Sequence, residues 1–398
     1  MKEKKDSLKL WSLSFVLILC INALNGIATY MVNPSLPDYL LSKGAPLEYT
    51  GIISSLVSWI ALVFRPFSGA VSDRFNKKRL MLISYAVLGI CMFMYTFTDD
   101  LSVLIVIRLI HGIAFAVSGT VSMAFATSFI PIEKLGEGLG YLSLATLVSN
   151  VLGPQFGSMV SDAFGDQYVF SCASIFILFQ TIVIICLKYN YERPIDNQQS
   201  YKFKFSDFFA KKLIPYMFLI GVFSFGNGIV SYYLKMFGES RGIANITLFF
   251  SVNSIAMVLS RPLAGKLLDR KGIKFILYPA YIITAVGIVI LGSSYSLFPV
   301  LIAAALKAIG QGSGLPSIQT DAVRNLGKEK SGVAISTLFI GQDLGNAIGP
   351  VYASYVIGPF GYGVMFYGYA AMLIVADIFF HFYINRQQKK YNAAIEID

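Results

Sequence analysis

The residues able to do chemistry in this sequence are the few ionisable ones that interrupt long apolar stretches. Asp343 follows Gln342 midway along one stretch, Arg108 and His111 stand three apart in another, and Lys307 lies at similar depth in a third. An ionisable group in hydrocarbon costs about 2.5 to 3.5 kcal/mol on insertion scales, so each one marks a site by default. Two kinds of chemistry are open to them, exchange of a proton and pairing with a charged solute. Desolvation and a nearby cation pull the proton affinity of a buried carboxylate in opposite directions. Asp343 is therefore the first candidate to load and release a proton, and a static ion pair with Lys307 or Arg108 is the alternative. Asp38, after Pro34 and Pro37, is a second candidate, or else a solvated loop acid. Arg108 and His111 share one helical face, where they could tune a proton. Asp377 and His381, one turn apart, could pair with each other or take part in coupling.

Neutral polar residues at depth would orient a bound molecule in an otherwise aromatic cavity. Asn22, Asn25, Asn227, Asn253, Gln311 and Gln342, with Tyr232, Arg108 and Lys307, form that candidate set. Other chemistries find no residues. The four cysteines, Cys20, Cys91, Cys172 and Cys186, stand singly without zinc spacing. There is no H-E-x-x-H and no G-x-S-x-G, so neither an enzyme nor a metal or other cofactor is expected. The run Gly310 to Pro316 is glycine-rich but lacks the terminal G-K-S/T of a phosphate loop. Its glycines and proline suit a hinge within a helix.

These residues must be held by membrane helices. Of 398 residues 56% are apolar and 14% charged, against roughly a quarter charged in soluble chains. Apolar stretches of spanning length lie at 11–32, 49–71, 79–98, 101–125, 138–161, 167–188, 213–236, 246–268, 274–293, 297–320, 331–356 and 362–385. Near-continuous apolar runs exclude an outer-membrane barrel, whose strands alternate. The expected fold is an all-α membrane protein of twelve transmembrane helices. The first run meets Asn33-Pro34 rather than a small-x-small cleavage site, so it reads as an uncleaved helix. One alternating set of loops, with both ends, carries 25 of the 32 basic residues. The positive-inside rule then places both termini in the cytoplasm, in an inner membrane. The formal charge of +10 belongs to this asymmetry and to the lipid surface, and implies no nucleic-acid partner. Residues 189–212 read as a cytoplasmic linker between bundles at 1–188 and 213–398, and its Phe203 to Lys212 part could lie along the headgroups.

The strongest pattern is an internal repeat. Arg65-Pro66-x-x-Gly69-x-x-x-Asp73-Arg74 recurs as Arg261-Pro262-x-x-Gly265-x-x-x-Asp269-Arg270, an offset of 196. Glu133-Lys134 and Glu329-Lys330 share that offset, as do Asn150-x-x-Gly153-Pro154 and Asn346-x-x-Gly349-Pro350. Two six-helix halves of like orientation follow, and parallel repeats frame a substrate site near the midplane.

The segment Gly69 to Lys78 resembles the signature loop of the major facilitator superfamily, G-x-x-x-D-R-x-G followed by two basic residues, with Asn76 in place of the second glycine. Asn tolerates a left-handed backbone, and Gly272 holds the matching position, so the turn should be kept. The resemblance implies a latch, in which Asp73 caps the start of the eleventh helix and Arg74, Glu133, Arg261, Asp269 and Arg270 serve the charge network and gating. Gly69 would admit close helix contact, and Gly265, its copy in the repeat, is a further gating candidate. Ser149-x-x-x-Gly153-Pro154-x-x-Gly157-Ser158 is similar to the helix 5 motif of proton-driven exporters in the superfamily. Arg108-x-x-His111-Gly112 resembles its helix 4 motif, whose Arg is associated with proton coupling. The resemblance thus implies a monomeric, proton-coupled exporter of a small amphipathic or drug-like molecule. The more basic cavity suggests an alternative, a specific exporter or facilitator of an anionic or zwitterionic metabolite.

Overall fold

The computed structural model describes residues 11–127, 129–130, 135–187, 189, 210–326 and 331–395. In chain order the helices are α1 (Leu13–Ser42), α2 (Leu47–Arg74), α3 (Lys77–Thr96), α4 (Leu101–Thr127), α5 (Leu135–Phe164), α6 (Asp166–Cys186), α7 (Ile214–Ser240), α8 (Leu248–Lys271), α9 (Ile273–Gly292) and α10 (Leu297–Leu326). A final run, Ser331–Ile395, is broken at Gly361 (φ 77°, ψ 171°) into α11 (331–360) and α12 (362–395). The expected all-α membrane fold is the one observed. Ten stretches among the described residues are long and apolar enough to cross a bilayer, one of them covering parts of α11 and α12. Most of the expected linker lies outside the described residues, and Lys211–Leu213 forms a single 3-10 turn that leads into α7.

The 196-residue offset extends from motifs to helix ends. It carries the start and end of α3 onto those of α9, the start of α4 onto that of α10, and 135–164 onto 331–360. It also carries Gly165 (φ 98°) onto Gly361 (φ 77°). A left-handed backbone costs a residue with a Cβ about 1–2 kcal/mol, so glycine at both corners lets each chain turn from one helix into the next.

Contacts divide the helices into two compact units, one within Met1–Tyr201 plus Ser231–Met236 and one within Lys202–Val230 plus Phe237–Asp398. In the first, small residues of α5 press on α1. A Cβ on Gly153 would meet that of Tyr30 at 2.7 Å, one on Gly157 would strike the Met31 backbone, and Ser149 donates to the Ala23 carbonyl at 2.8 Å. Pro154 lies within this helix. The second unit repeats the device, with Gly341, Gly345 and Gly349 of α11 against the backbone of Met217, Gly221 and Phe225 on α7.

Three expectations are corrected. Helix α1 runs on through Pro34 and Pro37 to Ser42, so Asp38 is a helical residue, not a loop acid. Asn76 is not left-handed. At φ −62° its side chain accepts from the Arg79 amide and caps α3, a role Gly272 cannot fill, and Gly272 turns at φ 76° instead. Gly265 faces open space. Finally, Gly310, Gly312 and Gly314 lie in continuous helix, where added Cβ atoms would collide with Thr284 of α9, Ser260 of α8 and Phe223 of α7. Their small size serves packing of α10 against three neighbours.

Overpacking a close contact costs about 1–3 kcal/mol. Gly157→Val should therefore lower the melting temperature of the purified protein by several degrees, while Gly265→Ala leaves it within about a degree. Equal melting of all three proteins would refute the contact.

Candidate functional site

In the first unit, α4 brings Arg108 and His111 into the interior, 2% and 5% exposed. The helix can approach α2 because residue 112 is glycine, whose Cβ would meet that of Ile60 at 2.7 Å. Arg108 thereby reaches the α2 backbone, donating from Nε to the Ile53 carbonyl at 3.2 Å and from Nη2 to the Ser54 carbonyl. Its guanidinium carbon lies 6.0 Å from the Tyr95 ring centre, and the Tyr95 hydroxyl is 3.0 Å from His111 Nδ1. The Tyr95 carbonyl in turn accepts from the Tyr39 hydroxyl. Tyr95 thus joins the two basic residues to α1. Nothing in the sequence set it apart from the other 22 tyrosines.

The first unit's polar candidates are partly engaged. Asn22 donates to the Ile18 carbonyl at 2.9 Å and accepts from Ser122 at 3.4 Å, while Asn25 is half-buried. Tyr232 packs against the first unit's core.

A second cluster forms around Lys235, in the stretch of α7 that belongs with the first unit. Its Nζ lies 2.9 Å from Asp166 Oδ1, 3.4 Å from Asp38 Oδ2 and 2.9 Å from Ser161 Oγ. Ser161 donates to Asp166 at 2.7 Å. Asp38 is therefore an ion-pair partner. In the sequence Asp166 reads as an ordinary acid at a helix start, where it suits the dipole, and only the fold brings it to Lys235.

In the second unit, Lys307 is 3% exposed. Its ammonium donates to Asn227 Oδ1 at 2.9 Å and to Gln311 Oε1 at 2.7 Å, one turn along the same helix. Among the described residues no carboxylate pairs with it, nor with Arg108, so neither forms the static pair considered for Asp343. The reason is the same at both: neutral oxygens already hold the charge. Three of the sequence-selected polar residues are thus brought together. Asp343 is buried at 7% exposure midway along α11, Gln342 beside it is half-buried, and Asn253 of α8 is buried. The repeat offset places Lys307 where the first unit has His111, so both α4 and α10 bury a basic residue at the same register.

The gating candidates behave differently from one another. Asp269 accepts from Arg324 at 2.8 Å, both exposed, and Arg270 is exposed. Arg261 is exposed and reaches Met257 Sδ at 3.5 Å. The side chains of Asp73 and Arg74, the surroundings of Gly69, and Glu133 lie outside the described residues. Asp377 and His381 are not hydrogen-bonded to each other. His381 meets the Tyr278 hydroxyl at 3.1 Å and Asn385 at 2.9 Å, because a tyrosine from α9 reaches its ring. Among the described residues no group of His, Cys, Asp or Glu could hold a metal ion.

Residues 18–298 and 246–396 match the Major Facilitator Superfamily. The chain is 26% identical over 373 residues to the multidrug resistance protein MdtG of Escherichia coli, covering 89% of this chain and 90% of that one. It is 26% identical over 375 residues to the multi-drug resistance efflux pump PmrA of Streptococcus pneumoniae, covering 89% and 91%. A solved structure of a POT family transporter in complex with 5-aminolevulinic acid is similar in fold, with a TM-score of 0.79 at 12% identity over 95% of this chain and 98% of that one.

Losing one partner of a buried ion pair costs about 3–5 kcal/mol. Lys235→Met should lower the melting temperature by several degrees, and Asp38→Asn should cost less in the Lys235→Met background than alone. Strictly additive losses in this double-mutant cycle would show that the pair contributes nothing.

Proposed function

Because this chain belongs to the Major Facilitator Superfamily, we propose that it is a proton-coupled secondary active transporter that exports a small amphipathic or drug-like organic molecule by alternating access. The observation that carries export is the likeness to two multidrug efflux proteins along nine-tenths of each chain. Buried ionisable groups support the coupling, since hydrocarbon penalises a charge that does no work there. Asp343 takes up a proton as substrate leaves and gives it up on the other side. Arg108 and His111, fixed by Tyr95 and the α2 carbonyls, tune the balance from the first unit. Each charge that crosses gains about 2.3 kcal/mol per 100 mV.

In this reading 1–188 and 213–398 act as two bundles joined by 189–212, both termini face the cytoplasm, and the protein works as a monomer. The uneven distribution of Lys and Arg supports the orientation. Gly153, Pro154 and Gly157 keep α5 pressed to α1 as the first unit moves, and the loop residues from Gly69 to Arg74 and from Gly265 to Arg270 set the balance between states.

A pH jump across proteoliposomes tests the coupling. Wild-type protein should show proton movement on substrate addition and gradient-driven accumulation. Asp343→Asn should lose both by at least about tenfold while retaining substrate counterflow. Flux that ignores the gradient in the wild type would point to a facilitator, and counterflow lost altogether would place Asp343 in binding.

A further inference from the structure

Lys307 is a buried basic group that meets no acidic side chain among the described residues. Its Nζ is held by two neutral amide oxygens, Asn227 Oδ1 and Gln311 Oε1, and among the described residues no carboxylate pairs with it. An ammonium carries three donors, so one remains after these two bonds. A lone buried ion costs several kcal/mol even after relaxation, and an opposite charge brought into contact recovers much of that. An amide pair therefore suits a lysine whose anionic partner arrives from outside and leaves again, because neutral oxygens hold the side chain in place without neutralising it.

A second observation points to the same level of the bundle. A Cβ on Gly312 of α10 would meet Ser260 Oγ at 2.5 Å and Met257 Cγ at 3.0 Å on α8. The short turns on either side of α9 make α8 and α10 run in the same sense. Asn253 shares the helical face of Met257 and Ser260 and precedes them by one to two turns, while Lys307 precedes Gly312 by about 7 Å. Asn253 and Lys307 thus lie at the same depth on adjacent helices. Asn253 is 5% exposed, yet its Oδ1 accepts no hydrogen bond among the described residues. A buried amide with an unmade bond is costly and offers a polar contact to a ligand at that depth.

We propose that Lys307, cradled by Asn227 and Gln311, with Asn253 at the same depth on α8, is the docking point for the anionic end of the exported molecule, so that the substrate is an amphipathic organic anion such as an aryl carboxylate. The inference rests on the transporter reading and narrows its substrate class. An ammonium-bearing compound would meet like charge at this position and be disfavoured, which is specificity by repulsion.

Binding of three matched probes to the purified full-length protein tests this without any gradient. The probes are 2-naphthoate, its neutral amide 2-naphthamide, and 2-naphthylmethylammonium, titrated by thermal shift at neutral pH. Wild-type protein should bind the carboxylate about tenfold or more tighter than the amide, as a charge-assisted hydrogen bond implies, and the ammonium most weakly. Lys307→Gln should erase the difference between carboxylate and amide, and Lys307→Arg should keep most of it. The comparison within wild-type protein stands even if a variant fails to fold. Equal binding of carboxylate and amide, a preference for the ammonium, or binding of none of the three would overturn the assignment. Should the ammonium be preferred and its export follow the proton gradient, the anion site fails while the transporter reading holds. A preference for the carboxylate without gradient-driven flux would uphold the anion site and overturn proton-driven export.

Discussion

A charge carried into hydrocarbon must find oxygen ligands that the helices have not already used, and the way each buried cation meets that demand organises this protein. Arg108 takes backbone carbonyls of α2, whose second lone pairs survive helix formation. Lys307 takes side-chain amides from α7 and its own helix. Lys235 takes two carboxylates and a hydroxyl. Among the described residues only the last meets carboxylates. Arg108 and Lys307 are held in position by neutral oxygens, which leaves each able to act on a proton or on a solute.

Each solution depends on how closely helices can approach. Arg108 reaches the α2 backbone because Gly112 lets α4 lie against Ile60. Lys307 sits on a helix whose glycines at 310, 312 and 314 bring α9, α8 and α7 near it, and Asn227 belongs to α7. The stripes on α5 and α11 do the same for α1 and α7. Small residues contribute no chemistry of their own, but without them the long side chains would fall short of their partners. This is the usual basis of helix association in membranes, where no hydrophobic force separates helix from lipid.

The duplicated halves share this scaffold and differ in chemistry. Helix ends and the positive-φ corners at Gly165 and Gly361 follow the 196-residue offset, because backbone geometry is constrained alike in both copies. Side chains at the equivalent depth are not. His111 pairs with a tyrosine hydroxyl, and the matching Lys307 with two amides. A shared backbone therefore presents two different basic groups, one in each unit, at the same register.

Apolar runs of spanning length, the repeat, and the depth of each ionisable residue were legible in the chain, since burial in lipid imposes composition and helical length one residue at a time. The small-residue stripe on α5 was legible for the same reason, because its period of four is a property of one helix. Partners were not. That Tyr95 joins Arg108 to His111, that Lys235 gathers Asp38 and Asp166, and that Gly265 faces open space while Gly312 touches α8 depend on rotations and levels of neighbouring helices. The continuation of α1 through two prolines was hidden too, because their local breaking signal carries no trace of the tertiary setting that keeps the helix intact. Sequence by itself determined which stretches form spanning helices and how far along each helix a residue lies. Only the tertiary structure decided whom they face, because a side chain's direction is local whereas its partner stands on another helix, brought there by the sum of many contacts.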